Sequence, residues 1–473
     1  MKGERMKLFV GLLLFILACT VVVSCQNDDD NALSAPIDPV NQWIFANMDF
    51  WYFWTDEMAR DIDQSIDPED YFDALLFEGD RFSIIVDDFD GLINSLDGVT
   101  LEPGYEVAFF RESGTNNVLA AITYIKNPSP ASDIGLVRGD LIRSVNGQSM
   151  DVDNFGSVFS QIFQNHTIEY LSFNASMESY EERTADLIVE QVVENPNFLD
   201  SIYTTQSGAK VGYYVYNFFR RGVDGGAEYQ SEQEEVFADF KAANIEELII
   251  DLRYNGGGST SAAIDLASFI APGVVEGDLF FSNSWNDRAE ESITNDPDLG
   301  TEFLTGRFLN KNFNIGEQLA NRVYVLTGSG TASASELIIN GLRPFIDVIV
   351  VGDTTVGKNV GSVPFGDSNN ENNNYGILPI TFQIENVLGQ SDYAEGFVPN
   401  ILVNDLELPL LELGDINEPL LSNALADIDG TAGGRLNTGI SGYPTIKSSH
   451  ELKPFKTDLF TTPSNGLLKQ QRN

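Results

Sequence analysis

Two short runs, residues 248–252 (LIIDL) and 348–352 (VIVVG), are apolar with almost no alternation. A strand with one wet face alternates apolar and polar residues. Runs without alternation predict interior strands of a sheet covered on both sides. Between residues 186 and 430 such runs alternate with amphipathic stretches. KVGYYVYNFF is followed by a helix through 228–243, ELIIDLR, a helix through 260–271, RVYVLTG, a helix from 333 and FIDVIVVGD. That order predicts an α/β domain over 186–430.

Residues 91–185 read as a β-rich domain. EVAFF (106–110) and LAAITYI (119–125) are strand-like. PASDIGL opens a short helix with Pro130 early, and GDLIRSVNG reads as a turn, an apolar strand and an Asn-Gly hairpin turn. Residues 40–90 begin NQWIFANMDFWYFW, aromatic at helical spacing, and continue with DPEDYFDALL. Two or three helices are expected there, with Trp43, Phe50, Trp51 and Trp54 as core or docking residues. Residues 26–39 form a polar tether. Residues 431–473 bear Gly, Ser, Pro and Lys without periodicity and are expected to be disordered. The chain as a whole is expected to be a multidomain α/β (α+β) protein.

The N-terminus carries a processing signal. Residues 1–7 are basic, residues 8–23 are nearly all apolar, and residues 22–25 read VVSC. The apolar stretch ends abruptly at QNDDD, which fits a signal peptide over 1–25 rather than a membrane span. The pattern resembles the bacterial lipobox, with Cys25 as the lipidated residue and Cys19 as a second candidate. No later run reaches about 18 apolar residues. Lys and Arg number 27 against 71 Asp and Glu, a formal charge of −44. A field of that sign repels nucleic acid and anionic lipid surfaces, so no nucleic-acid partner is expected. Contact with a membrane is expected through the lipid anchor only.

The rare residues exclude much chemistry. The two cysteines, Cys19 and Cys25, both belong to the leader, so a thiol nucleophile is ruled out. The two histidines are His166, in the strand-like QNHTIEY, and His450, in the polar tail. A His-based triad or an imidazole/thiolate zinc site does not fit. A hydrolase built from this chain needs a carboxylate, a lysine or a bound metal as its base. No metal or cofactor is expected.

Three segments could carry chemistry. In GSGTASASELIINGL (328–342) a small-residue loop runs into a helix. Ser333 and Glu336 have capping-box spacing, so Ser333 either caps the helix or stands as a nucleophile beside N–H groups suited to an oxyanion. In FIDVIVVGDTTVGKNVG (345–361) an apolar strand ends in a loop holding Lys358. Lysine in a loop is commonly a solvated charge, but a desolvated amine can serve as a base for serine. In LIIDLRYNGGGSTSAA (248–263) glycines follow an apolar strand and precede a helix. The phosphate-cradling pattern G-x-x-x-x-G-K-[ST] is absent, and Gly257 or Gly258 could supply a second oxyanion N–H.

Together these segments resemble the C-terminal processing peptidases, or tail-specific proteases, over roughly residues 40–425. TASASE matches the family's nucleophile segment, VGDTTVGK its lysine segment 25 residues later, DLRYNGGG its strand and glycine loop, and GFVPN (396–400) a further family segment. SPASDIGLVRGDLIRSVNG looks like the family's PDZ core, and the aromatic N-terminal helix resembles Bacteroidetes members. The resemblance implies a crotonase-like catalytic domain with Ser333 as nucleophile and Lys358 as base. The N–H groups of Ala334 and Gly258 would form the oxyanion hole, with Gly257 beside the substrate. It also implies a PDZ-like domain whose loop at Gly104, Tyr105, Glu106 and Val107 takes the substrate's C-terminus.

Two positions depart from the family. Ser362 stands where many members have a Gln that orients the lysine. Glu106 stands in the carboxylate-binding loop and would repel a substrate C-terminus. The expected protein is a secreted, lipid-anchored serine endopeptidase of the Gram-negative cell envelope, at the outer membrane, acting on protein or peptide substrates. The alternatives are a surface peptide-binding protein with an impaired site and, against the export signal, a crotonase-like acyl-CoA enzyme.

Overall fold

The structure, a computed structural model, describes residues 38–223, 225–431 and 445–448. The leader and Cys25 lie outside the described residues. Among the described residues, no helix is long and apolar enough to cross a membrane.

The chain opens with two helices that share one starting device. Helix α1 (Pro39–Trp51) begins where Asp38 accepts from the Val40 N–H at 2.8 Å. Helix α2 (Pro68–Leu75) begins where Asp67 accepts from the Glu69 N–H at 3.0 Å. In each, proline fills the first turn, where its missing N–H costs nothing. Ile44, Met48 and Trp51 of α1 are buried, and the Trp51 ring lies 6.1 Å from that of Trp285 and 5.9 Å from that of Phe365. Trp43, Phe50 and Trp54 are partly buried against the same cluster, so these aromatics serve packing.

An antiparallel sheet follows: β1 (Tyr105–Arg111), β2 (Val118–Ile125), β3 (Leu141–Val145), β4 (His166–Asn174) and β5 (Ser179–Leu187). Asn146 and Gly147 both have positive φ, 52° and 74°, as the hairpin turn after β3 requires. Pro130 opens a short helix (Pro130–Asp133) capped by Ser129. His166 is buried, with Nε2 3.1 Å from the Tyr105 hydroxyl and Nδ1 2.8 Å from the Gln164 carbonyl. Burial lowers its pKa, and its place is structural. One expectation is corrected. Thr445–Ser448, in the stretch expected to be disordered, forms a strand on the free edge of β1. The rest of 432–473 lies outside the described residues.

The second large sheet runs β6 (Asn197–Thr204), β7 (Lys210–Tyr216), β8 (Glu247–Asp251), β9 (Arg322–Thr327), β10 (Asp347–Gly352) and β11 (Ile401–Leu402), in that spatial order. β6 pairs antiparallel with β7, and the remaining pairs are parallel. All five residues of β8 are buried. Leu248 and Ile250 join Phe237, Phe269 and Leu337 of helices α3 (Glu228–Ala243), α4 (Thr260–Ile270) and α5 (Ala334–Leu342). Ile249 faces the other way, into a cluster with Leu420 and Leu421 of helix α6 (Pro419–Ile428). Helices on both faces explain why the strand sequences do not alternate.

A smaller antiparallel sheet, with strands at 279–285, 305–307, 380–386 and 360–362, stands beside the main one. The N-terminal segment docks on it. Asn286 donates to the carbonyls of Phe50 and Tyr52 at 3.0 and 2.9 Å, and the Phe53 N–H donates to Ile380 at 2.8 Å.

Beyond β8 the chain turns at Arg253, whose side chain is fully buried. Its Nε donates to Asp251 at 2.9 Å and its two terminal nitrogens donate to Glu418 at the start of α6. Burial works against the guanidinium charge, but the two carboxylates outweigh it and hold its pKa well above the ordinary value. Removing one partner of such a pair strands a buried charge. Glu418→Ala should lower the unfolding free energy by about 3–5 kcal/mol, read by urea denaturation. A loss below about 1 kcal/mol would show the pair to be solvated.

Candidate active site

Ser333 sits at the turn from β9 into α5, with φ 65° and ψ −113°. Side chains rarely adopt that conformation, and holding one there costs on the order of 1–3 kcal/mol. The capping box is only half closed. The Glu336 carboxylate accepts from the Ser333 N–H at 2.8 Å, but the buried Ser333 hydroxyl makes no hydrogen bond in return. Ser333 and Glu336 thus face each other as a capping box, while the Oγ makes no full hydrogen bond. The Ala334 N–H, first in α5, belongs to the turn whose donors have no partner within the helix.

The same carboxylate holds the lysine turn. Glu336 Oε2 accepts from the Lys358 N–H at 2.7 Å, and Oε1 accepts from the Gly357 N–H at 2.7 Å and the Thr355 hydroxyl at 2.6 Å. Oε2 thus takes the backbone donors of both Ser333 and Lys358, which sets the two turns a few ångströms apart. Burial pushes the Glu336 carboxyl up, and the four donated bonds pull against it, with a net upward shift. Three of these donors are backbone N–H groups, which can only donate, and they fit a carboxylate that accepts.

The Lys358 side chain is 1% exposed. Its Nζ lies 5.0 Å from the centroid of the Phe82 ring. Arg81, the preceding residue, donates to the carbonyls of Gly357 at 3.0 Å and Ala394 at 2.9 Å. The N-terminal segment thus supplies both a cover for the amine and a clamp on its turn. Ser362, expected to orient the amine, is buried in the strand at 360–362, and its hydroxyl makes no hydrogen bond. The structure therefore does not bring Ser362 into hydrogen-bonding contact with Lys358.

The glycine loop lies over Ser333. A Cβ added at Gly257 would fall 2.7 Å from Ser333 Cβ and 3.1 Å from its Oγ, at a φ of 121°. The Gly257 N–H is already engaged, donating to Asn255 Oδ1 at 2.9 Å. Gly258 (φ 132°) packs against Phe219. That bridge uses the Gly257 carbonyl and the Ser259 N–H, so the Gly258 N–H stands outside it. Of the two glycines left open by the sequence, Gly258 is thus the one with an uncommitted donor.

Tyr105 and Val107 face the core of their own domain, and Gly104 packs against Ser129. Glu106 is buried and paired with Lys126 at 3.2 Å, and Lys126 also meets Glu102 at 2.6 Å and Glu194 at 3.0 Å. Burial alone would lower the Lys126 pKa, but the three carboxylates raise it well above the ordinary value. A cavity of about 640 Å³ opens between this cluster and the loops at 253–258 and 328–333, with Gly256 and residues 328–330 in its wall. Ser333 and Lys358 are not part of that wall.

Sequence reasoning did not find Arg81, Phe82 or Thr355. Thr355 lies within the lysine segment but carried no signal of its own. Arg81 and Phe82 are separated from Lys358 by more than 270 residues, and DRFS has no pattern that would mark them.

Residues 210–392 match the model of peptidase family S41, and residues 39–84 match that of the peptidase S41 N-terminal domain. The first match contains Ser333, Lys358 and both glycines, and the second contains Arg81 and Phe82. The chain is 23% identical over 328 residues to a carboxyl-terminal-processing protease of Synechocystis, covering 68% of this chain and 67% of that one. It is 25% identical over 297 residues to the carboxy-terminal processing protease CtpB of Bacillus subtilis, covering 59% of this chain and 51% of the relative. The chain thus spans about half the length of the Bacillus protein. A crystal structure of an S41 protease from Bacteroides fragilis superposes with a TM-score of 0.67 at 25% identity, covering 82% of this chain and 97% of the other.

The strain and the unbonded hydroxyl at Ser333 give a stability signature. Ser333→Ala removes an unsatisfied buried hydroxyl and should raise the unfolding free energy by about 1 kcal/mol. Ser333→Gly also releases the positive-φ strain and should match or exceed that gain. Gly257→Ala should lose about 2 kcal/mol or more, since its Cβ meets Ser333. Thermal or urea unfolding reads all three, and a destabilised Ser333→Gly variant would contradict the strained turn.

Proposed function

Because the chain belongs to peptidase family S41, a family of serine-type peptidases, we propose that it is a serine endopeptidase working through a Ser333–Lys358 dyad. The observation that carries this reading is the shared Glu336 carboxylate, which ties the turn of an unbonded buried hydroxyl to the turn of a buried amine. In the proposed step the neutral Lys358 amine takes the Ser333 proton, and Oγ adds to a peptide carbonyl. The tetrahedral oxyanion accepts from the N–H groups of Ala334 and Gly258, each donor worth about 10²–10³ in rate. The lysine ammonium then returns its proton to the departing amine. Water, deprotonated by the same lysine, releases the acyl group and regenerates Ser333. Burial of the Lys358 side chain supplies the dry surroundings in which an ammonium is disfavoured.

The antiparallel domain, read as PDZ-like, would present extended peptides to this site by strand addition at β1. Leader and lipobox support export and anchoring through Cys25 at the cell envelope. A second reading, a peptide-binding protein without turnover, draws support from Ser362, which does not replace the contact that a glutamine would make to the amine.

Ser333→Ala, Lys358→Ala and Lys358→Arg should each abolish cleavage of a peptide library read by mass spectrometry, with the fold intact by circular dichroism. Arginine fails here because its guanidinium stays charged. Cleavage retained in Lys358→Ala would reject the dyad, and a wild-type protein that cuts nothing would favour the binding reading. Arg81→Ala should lower kcat about 10²-fold with little change in KM, because it loosens the turn of the base without touching the peptide path. A pure KM effect would place Arg81 in substrate binding instead.

A further inference from the structure

The free edge of β1 is not empty. Residues 445–448 pair with it in antiparallel register, with Thr445 opposite Phe110, Lys447 opposite Phe109 and Ser448 opposite Ala108. β1 has β2 on its other side, so without this strand its outer backbone groups would face solvent. Such an edge is a template for an extended peptide. The tail strand runs from Phe110 towards Gly104, and Ser448 reaches the wall of the 640 Å³ cavity. That wall also holds Glu102, Glu106, Glu194 and Lys126, and further round it Gly256 and Gly330 of the catalytic loops.

Charge supplies an independent argument. Three carboxylates surround the one ammonium of Lys126, a formal surplus of two negative charges at the end of the edge. A free C-terminal carboxylate arriving there would add to that surplus, whereas a cationic side chain would reduce it. The chain carries −44 overall, yet residues 431–473 hold six bases (Arg435, Lys447, Lys453, Lys456, Lys469 and Arg472) against two acids, Glu451 and Asp458. The four residues described on this edge, one of them Lys447, belong to that basic segment.

We propose that residues 445–448 are an intramolecular ligand of the β1 edge, and that the peptides which replace them are extended and cationic rather than recognised by a terminal carboxylate. The tail is joined covalently to the body, so it meets the edge as an intramolecular partner. A peptide in trans must compete with that. The claim that displaced peptides go on to be cut rests on the peptidase reading, and the claim of occupancy does not.

The test uses the full chain carrying Ser333→Ala, so that binding is read without turnover. A fluorescent synthetic peptide of residues 441–455 is titrated by anisotropy against this chain and against the same chain with Ile446→Pro and Lys447→Pro, which remove strand donors from the tail. A Lys447→Glu chain serves as a gentler displacement. The proline chain should bind the peptide at least tenfold more tightly than the unaltered tail allows. Backbone amides of residues 105–111 should exchange at least tenfold faster in the proline chain when the peptide is absent. A peptide with both of its Lys447 and Lys453 positions changed to Glu should bind at least tenfold more weakly. Equal binding by the two chains, or unchanged exchange, overturns the intramolecular ligand. Equal binding of the acidic peptide overturns the preference for cations. Neither result bears on whether Ser333 cuts, which the library experiment decides.

Discussion

A single buried carboxylate fixes the distance on which the proposed chemistry depends. The hydroxyl of Ser333 and the amine of Lys358 come from different loops, one after β9 and one after β10. Parallel neighbours deliver both loops to the same end of the sheet, but adjacency alone leaves several ångströms of play. Glu336 removes that play by accepting on one oxygen from the N–H groups of Ser333 and Lys358, and on the other from the Gly357 N–H and the Thr355 hydroxyl. Charge-assisted bonds in a dry interior are short and strong, so the two turns move as one body. Because the bonds to Ser333 and Lys358 go to their backbone, they set position without consuming the end of either side chain.

Around that fixed point the structure accepts local cost. Ser333 occupies a backbone conformation that suits glycine, and its hydroxyl is buried without a partner. Gly257 must remain a glycine because its α-carbon is pressed against the serine. The neighbouring Arg253, locked between Asp251 and Glu418, anchors the start of the glycine loop and ties it to α6 on the far face of the sheet. Rigid strands and a buried ion pair thus supply the stability that a strained turn uses. The same arrangement leaves the N–H groups of Ala334 and Gly258 uncommitted beside an uncommitted Oγ.

Much of this could be read from the residues alone. The unalternating runs at 248–252 and 348–352 announced a sheet covered on both faces, and Ile249 and Ile250 do face opposite clusters. Asn146 and Gly147 announced the hairpin after β3 because few other pairs tolerate two positive φ values. Ser333, Lys358 and the glycines were legible as small-residue loops at strand ends. Glu336 was legible as a capping partner, though not as the link to Lys358, because that link spans two loops. Glu106 was legible as a charge in the loop at 104–107, but its pairing with Lys126 was not, since sequence shows charge and not burial. The tail strand has no alternating pattern of its own, and its placement comes from the vacant edge that it meets. Arg81 and Phe82 were invisible for the simplest reason: nothing local requires them, and their use depends on a docking event between distant segments.

That docking has a consequence in time. The guanidinium of Arg81 bridges the carbonyls of Gly357 and Ala394, residues made long after it. A ribosome reads the chain in one direction, so no nascent chain shorter than 394 residues can hold the lysine turn in its clamped form. The first part of the protein to be made is therefore among the last to find its place. Until it does, the serine helix can be in place while the turn of Lys358 still lacks its clamp.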